Sequence, residues 1–289
     1  MRTEGSILLV GVGGQGVLLA SHILATVCLR AGFDVKKSEV HGMAQRGGIV
    51  FSHVRYGRRV HSPVIEEGSS DALVAMEWAE AIRWVSYVKP LGTVVTSSTQ
   101  IVPPAACTDR RRWTSAYPAI RTTVFGERRL YCTDAQAVAK AAGAAKAANT
   151  VLLGALSTSL GFAVELWEAA IRDTVPTSAV EGNLKAFAAG RNLAPWRPDG
   201  RSGSPTAAAP APGSTVPGRA QMYAVDVVEA WCKGCDICVR ICPEDCLRLD
   251  AAGIARLVDG QACTGCRLCE QLCPDFAIAV RPVEVAAHG

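Results

Sequence analysis

The apolar pattern opens with an unbroken run at residues 7–12, the length of a strand buried on both faces. A glycine-rich turn follows, and a second apolar stretch continues to about Arg30 as a helix. Residues 34–40, 49–56 and 72–76 carry the next strand-like runs. Trp78, Ala81, Ile82, Val85 and Val88 then recur at helical spacing. After the break at Pro90-Leu91-Gly92, residues 93–97 predict another strand. From Ala135 to Trp167 the chain is Ala-rich and predicts mostly helix. Strands alternating with helices predict a parallel sheet covered on both faces, a Rossmann-like α/β domain.

That pattern stops at residues 198–220, PDGRSGSPTAAAPAPGSTVPGRA, which hold almost nothing to bury and read as an extended linker. The expected organisation is an α/β domain over residues 1–197, the linker, and a separate small domain over residues 221–289. The 289 residues are 49% hydrophobic, enough to bury a core, which excludes a mostly disordered chain. Charge is uneven: residues 221–289 hold six Lys/Arg against ten Asp/Glu, so the small domain is acidic while the whole chain is +4. No polybasic run interleaved with aromatics appears, and nucleic acid is not an expected partner. Residues 5–29 lack Asp, Glu, Lys and Arg, as a membrane span or signal peptide would. The glycines at 11, 13, 14 and 16 break the run as a strand–turn–helix does, so the expectation is a cytoplasmic chain without a membrane span.

Cysteine alters the picture most. Nine of the twelve fall between Cys232 and Cys273. Cys232-x2-Cys235-x2-Cys238-x3-Cys242-Pro243 recurs as Cys263-x2-Cys266-x2-Cys269-x3-Cys273-Pro274, every cysteine displaced by 31 residues. A 4Fe–4S cube needs four thiolates around its corners, and a tight C-x2-C-x2-C loop supplies three. In two-cluster ferredoxins the fourth comes from the other repeat. The assignment is therefore Cys232, Cys235, Cys238 and Cys273 to one cluster, and Cys263, Cys266, Cys269 and Cys242 to the other. Disulfides would need an oxidising compartment, and zinc takes paired C-x2-C rather than runs of four. The segment resembles the bacterial two-cluster ferredoxin module, a small α+β domain. Cys246 lies outside the repeat, where its counterpart is Ala277, and reads as a small buried hydrophobe beside the cluster.

Gly11-Val12-Gly13-Gly14-Gln15-Gly16 follows a strand and opens a helix, a context in which backbone N–H groups can approach a phosphate. It fits G-x-G-x-x-G, with Glu39 near the end of the next strand as a ribose partner in a dinucleotide reading. A different phosphate-bearing ligand and purely structural packing are the other readings of the loop. A second motif, Ser38-Glu39-Val40-His41-Gly42-Met43-Ala44-Gln45-Arg46-Gly47-Gly48, precedes a strand carrying Ser52-His53-Val54-Arg55. Together with the glycine loop and the later Ser62-Pro63, it resembles the gamma subunit or domain of 2-oxoacid:ferredoxin oxidoreductases, in the variant of the indolepyruvate-type beta subunit. The fused ferredoxin module departs from that variant.

The resemblance implies one subunit of an anaerobic enzyme that oxidatively decarboxylates a 2-oxoacid on thiamine diphosphate and forms an acyl-CoA. Electrons would pass singly through 4Fe–4S clusters to ferredoxin or another acceptor. This chain lacks the family's thiamine and Mg signature, a G-D-G followed by paired Asn; its Asp199-Gly200 and Asp259-Gly260 lie in the linker and between the repeats. The resemblance therefore places thiamine diphosphate and Mg on a catalytic partner subunit. It implies phosphate or coenzyme A contacts for Gly11, Gly13, Gly14, Gln15, Gly16, Arg46 and Gly47, and aryl 2-oxoacids (indolepyruvate, phenylpyruvate, phenylglyoxylate) as substrates. The rival readings are an NAD-binding diaphorase subunit and a non-catalytic electron carrier. His41 and His53 lack ligand-spaced partners and read as structural hydrogen bonders. Cys28, Cys107 and Cys132 are isolated, Arg110-Arg111-Arg112 reads as solvated surface, and Trp78 and Trp84 suit helix packing or a subunit interface.

Overall fold

The computed structural model describes residues 3–41, 48–99, 124–196 and 222–283. Contacts divide the chain into two units. The first is built on a six-stranded sheet of β1 (Gly5–Val12), β2 (Asp34–His41), β3 (Ile49–Gly57), β4 (Ser70–Ala75), β5 (Val88–Ser97) and β6 (Arg129–Thr133). Its spatial order is β2-β3-β1-β4-β5-β6. β1, β4, β5 and β6 are mutually parallel, as expected for strands joined through helices. β3 runs antiparallel to both β1 and β2. Only residues 42–48 separate β2 from β3, too few for the crossover that a parallel pair requires.

The run that predicted a doubly covered strand is buried throughout: Ile7, Leu8, Leu9 and Val10 are all 0% exposed. Alternation divides these residues between the two faces. Ile7 and Leu9 join the core shared with α1 (Val17–Arg30), α4 (Ala148–Leu160), α5 (Val164–Thr174) and α6 (Val180–Arg191). Leu8 is buried from the other side of the sheet, where α2 (Trp78–Trp84) packs on β1, β4 and β5. A third short helix, α3 (Ala135–Ala141), starts on the Asp134 side chain, which accepts from Ala137 N at 2.9 Å. The Pro90-Leu91-Gly92 break lies inside β5, where the register on β4 shifts between Ser70 and Ala72.

Helices α4 and α6 touch through glycine. A Cβ at Gly190 would overlap the Val151 carbonyl oxygen, and one at Gly154 would overlap the Phe187 carbonyl. Gly190→Ala must push the two helices apart, and we expect it to lower stability by about 1–3 kcal/mol or more. Denaturant titration measures this, and an unchanged midpoint would show that the contact relaxes without cost.

The second unit joins its ends. β7 (Tyr223–Val227) pairs antiparallel with β10 (Ile278–Pro282), Tyr223 facing Pro282 and Val227 facing Ile278. Between them lie the two-stranded β8 (Leu247–Leu249) and β9 (Ala255–Leu257), with the short helices α7 (Ile237–Arg240) and α8 (Leu268–Leu272). The 31-residue repeat is carried into the backbone. Positive φ recurs at Gly234 and Gly265 (65° and 68°), Asp236 and Arg267 (53° and 62°), and Asp245 and Phe276 (54° and 53°). Two of these three pairs hold non-glycine residues in the left-handed region, a conformation that costs about 1–2 kcal/mol per residue. Among the described residues no helix is long and apolar enough to cross a membrane.

Candidate functional site: two cysteine cavities and a glycine loop

Each repeat folds its first three cysteines around the start of a short helix. Cys232 and Cys235 precede α7 and Cys238 lies on it; Cys263 and Cys266 precede α8 and Cys269 lies on it. The repeats then exchange their last cysteine. One cavity, about 330 Å³ with its open mouth included, is lined by Cys232, Cys235, Cys238 and Cys273. The other, about 340 Å³ on the same measure, is lined by Cys242, Cys263, Cys266 and Cys269. Both therefore draw on both repeats. Among the described residues no three His, Cys, Asp or Glu side chains are placed to hold a single metal ion; each set of four sulfurs surrounds a space instead.

The thiols are crowded: Cys238, Cys269 and Cys273 are buried, Cys232, Cys242, Cys263 and Cys266 partly so, and Cys235 is exposed. Burial, then the neighbouring thiols, pushes Cys238 up to about 12. Burial likewise raises Cys235, Cys266 and Cys269. Left alone, these groups stay protonated, so iron must displace protons to bind them. Cys246, expected as a plain buried hydrophobe, is 2% exposed but does more than fill space. It lines the second cavity, and its Sγ lies 3.3 Å from Cys242 Sγ. The sequence signal was the mismatch with Ala277.

The glycine loop spends much of its hydrogen-bonding capacity internally. Gln15 Oε1 accepts from Val12 N at 2.9 Å and its Nε2 donates to the Met76 carbonyl at 3.3 Å. Gly13 N donates to the Gly48 carbonyl and Gln15 N to the Val12 carbonyl. Gln15 is thus a brace tying β1 to the end of β4. The Gly13 N–H is thereby engaged, while Gln15 keeps one Nε2 hydrogen beyond these bonds. Gly11 has no room for a side chain either, because a Cβ there would meet Gln15 Oε1 at 2.8 Å. The loop's remaining donors among the described residues include the N–H groups of Gly14 and Gly16 and the second hydrogen of Gln15 Nε2. Arg46 and Gly47 lie outside the described residues.

A residue that pattern reading passed over completes the brace. Asn149, buried at the start of α4, donates from Nδ2 to the Gly16 carbonyl at 3.2 Å. Its Oδ1 accepts from Thr150 N, and Thr150 Oγ1 in turn donates to Asn183 Oδ1 at 2.7 Å. An amide inside an Ala-rich apolar helix was the available signal. Gly16 sits at φ 79°, and an added Cβ would lie 2.6 Å from Asn149 Nδ2. Gly16→Ala is expected to cost about 1–3 kcal/mol through backbone strain and loss of this bond. Thermal unfolding measures it, and Asn149→Ala should recover part of the loss by making room.

The other candidates settle into packing. Glu39 Oε1 pairs with Lys37 at 2.6 Å and accepts from Ser21 Oγ at 3.2 Å, which weighs against a ribose role. His53 is buried, its Nδ1 accepts from Ile65 N at 3.1 Å, and burial lowers its pKa. Cys28 lies in the core with its thiol pushed up to about 12 by burial. Trp78 is buried, and Trp84 packs its ring 4.7 Å from Phe51 and donates to Glu80. Cys132 is half-buried on β6, and Cys107 and the arginines at 110–112 lie outside the described residues. For His41 only the backbone position, the last residue of β2, is described.

Comparison with known proteins decides the family. Residues 6–193 match the model described as pyruvate ferredoxin/flavodoxin oxidoreductase. The chain belongs to that family. A second model, a 4Fe-4S dicluster domain, matches residues 231–278. Among curated oxidoreductases, indolepyruvate oxidoreductase subunit IorB of Archaeoglobus fulgidus is 39% identical over 65% of this chain and 94% of its own length. The subunit of the same name from Thermococcus kodakarensis is 36% identical, with the same coverage. The keto/oxoacid ferredoxin oxidoreductase gamma subunit of Geobacter sulfurreducens superposes with a TM-score of 0.50 at 26% identity, covering 65% of this chain and 95% of that one. This member of the pyruvate ferredoxin/flavodoxin oxidoreductase family thus combines an oxidoreductase-subunit domain with an iron–sulfur domain in one chain.

Proposed function

We propose that the chain is the electron-relaying subunit of a 2-oxoacid:ferredoxin oxidoreductase whose thiamine diphosphate and Mg reside on a catalytic partner. The reading divides it into a gamma-type domain over residues 1–197, a linker over 198–220 and a two-cluster ferredoxin domain over 221–289. The observation that carries it is the pair of four-cysteine cavities in a chain whose other unit belongs to the oxidoreductase family. The residues suit two 4Fe–4S clusters: Cys232, Cys235, Cys238 and Cys273 would hold one, and Cys263, Cys266, Cys269 and Cys242 the other. When bound, such clusters accept and release single electrons. The chain's own part is to hold them by eight thiolates packed against an apolar cluster that includes Leu247, Ala255 and Ile278.

The relatives named for indolepyruvate support an aryl 2-oxoacid as substrate; phenylpyruvate and phenylglyoxylate belong to the same class, and the product of this reading is an acyl-CoA. Ferredoxin or an equivalent carrier takes the electrons, and the assembly works in an anaerobic cytoplasm. Coenzyme A at the subunit interface would meet the glycine loop through Gly14 and Gly16, together with Arg46 and Gly47. In the test, the anaerobically reconstituted single chain should carry about eight irons, as two four-iron clusters require. It should turn over no 2-oxoacid even with thiamine diphosphate, Mg²⁺ and coenzyme A, because the carbanion chemistry belongs to thiamine. Adding the thiamine-binding subunit should restore turnover. Turnover by the pure single chain would refute this division of labour, and NADH reduction of the isolated chain would favour a diaphorase.

A further inference from the structure

The repeat is broken at one position with chemical consequence. Cys246 and Ala277 each follow the exchanged cysteine of their repeat by four residues. Ala277 donates its backbone N–H to Cys273 Sγ at 3.3 Å. Cys246 instead brings a thiol to 3.3 Å from Cys242 Sγ, inside the cavity that Cys242 shares with Cys263, Cys266 and Cys269. While both are thiols, either sulfur can be the donor. A cysteine bound to iron is a thiolate, which accepts hydrogen bonds and donates none. The proton of the pair then belongs to Cys246.

We propose that Cys246 donates an S–H···S hydrogen bond to the Cys242 thiolate and raises the reduction potential of the cluster in that cavity, a side-chain donor where the other cavity has the Ala277 N–H on Cys273. The inference rests on the two-cluster reading above. Reduction adds negative charge to a cluster, and a donor aimed at a ligand sulfur stabilises the more negative form. Cys246 is buried and Cys242 half-buried, which limits screening of the bond by water. Cys246 acts through Cys242 and is a tuning residue, not a ligand. Alanine is the natural test substitution, because Ala277 fills the matching position in the second repeat with 1% exposure.

The experiment is an anaerobic potentiometric titration of the full-length chain, followed by electron paramagnetic resonance. It compares wild type, Cys246→Ala and Cys246→Ser, with Cys263→Ser marking the signal that belongs to this cavity. Cys246→Ala should keep about eight irons and move only the marked signal to lower potential. Held at the wild-type midpoint, its oxidised-to-reduced ratio should rise by about 2- to 10-fold, the range of one modest hydrogen bond. Cys246→Ser keeps an O–H donor and should lie closer to wild type than alanine does. The proposal is overturned if the marked signal does not move in the alanine variant, or if both signals move alike. It is also overturned if alanine costs four irons, which would make Cys246 a ligand. A wild-type load of four irons or fewer refutes the two-cluster reading itself, and is read from iron content before any potential.

Discussion

Cys273→Ser is expected to cut the iron of the reconstituted chain from about eight to about four. It should also erase the same electron paramagnetic resonance signal that Cys232→Ser erases. Cys273 stands 41 residues beyond Cys232 in sequence but lines its cavity. A serine oxygen is a harder ligand than a thiolate and suits iron–sulfur chemistry less well. Cys242→Ser should match Cys263→Ser in the same way, although the adjacent Cys246 makes Cys273 the cleaner test. If Cys273→Ser instead reproduces Cys263→Ser, each repeat ligates its own cluster and the exchange is wrong. Because metal binding and folding are coupled in such modules, losing one cluster should also lower the melting temperature of the remainder.

The second large effect is expected from deleting residues 221–289 within the assembled enzyme. Thiamine diphosphate content should stay at the wild-type level, while 2-oxoacid-dependent reduction of ferredoxin falls to background. The motivation is the separation of the two family matches, residues 6–193 and 231–278, which share no residue. Direct chemical assay of bound thiamine, alongside the ferredoxin assay, separates the two roles. Loss of thiamine together with electron transfer would show that the second unit is needed for assembly as well as relay.

Much of this was legible in the sequence where one physical constraint acts alone. The run at residues 7–12 had to be buried on both faces, and Ile7 to Val10 are. The 31-residue displacement of the cysteines reappears as paired backbone angles at Asp236 and Arg267. Other features needed three dimensions. That β3 stands between β1 and β2 needed the sheet itself; given that adjacency, the short 42–48 connection already makes β2 and β3 antiparallel. β6 is five residues, RLYCT, with no flanking signal strong enough to mark it. Composition could not show which way the Gln15 amide turns; it reaches Val12 and Met76. Asn149 was hidden by the helix around it, and its contact with Gly16 spans 133 residues of sequence.

The pairing of Tyr223–Val227 with Ile278–Pro282 has a consequence for how the protein is made. The first strand of the small unit leaves the ribosome more than fifty residues before its partner, which stands within the last dozen residues of this sequence. At about 5–20 residues per second, that is a wait of several seconds during which neither cavity has all its walls. The first cavity lacks Cys273 and Ala277, and the second lacks Val280. Iron delivered to the nascent chain would meet an open row of thiols. A chain that stalls after β9 carries five cysteines of the module but lacks Cys263, Cys266, Cys269 and Cys273, so neither set of four is complete.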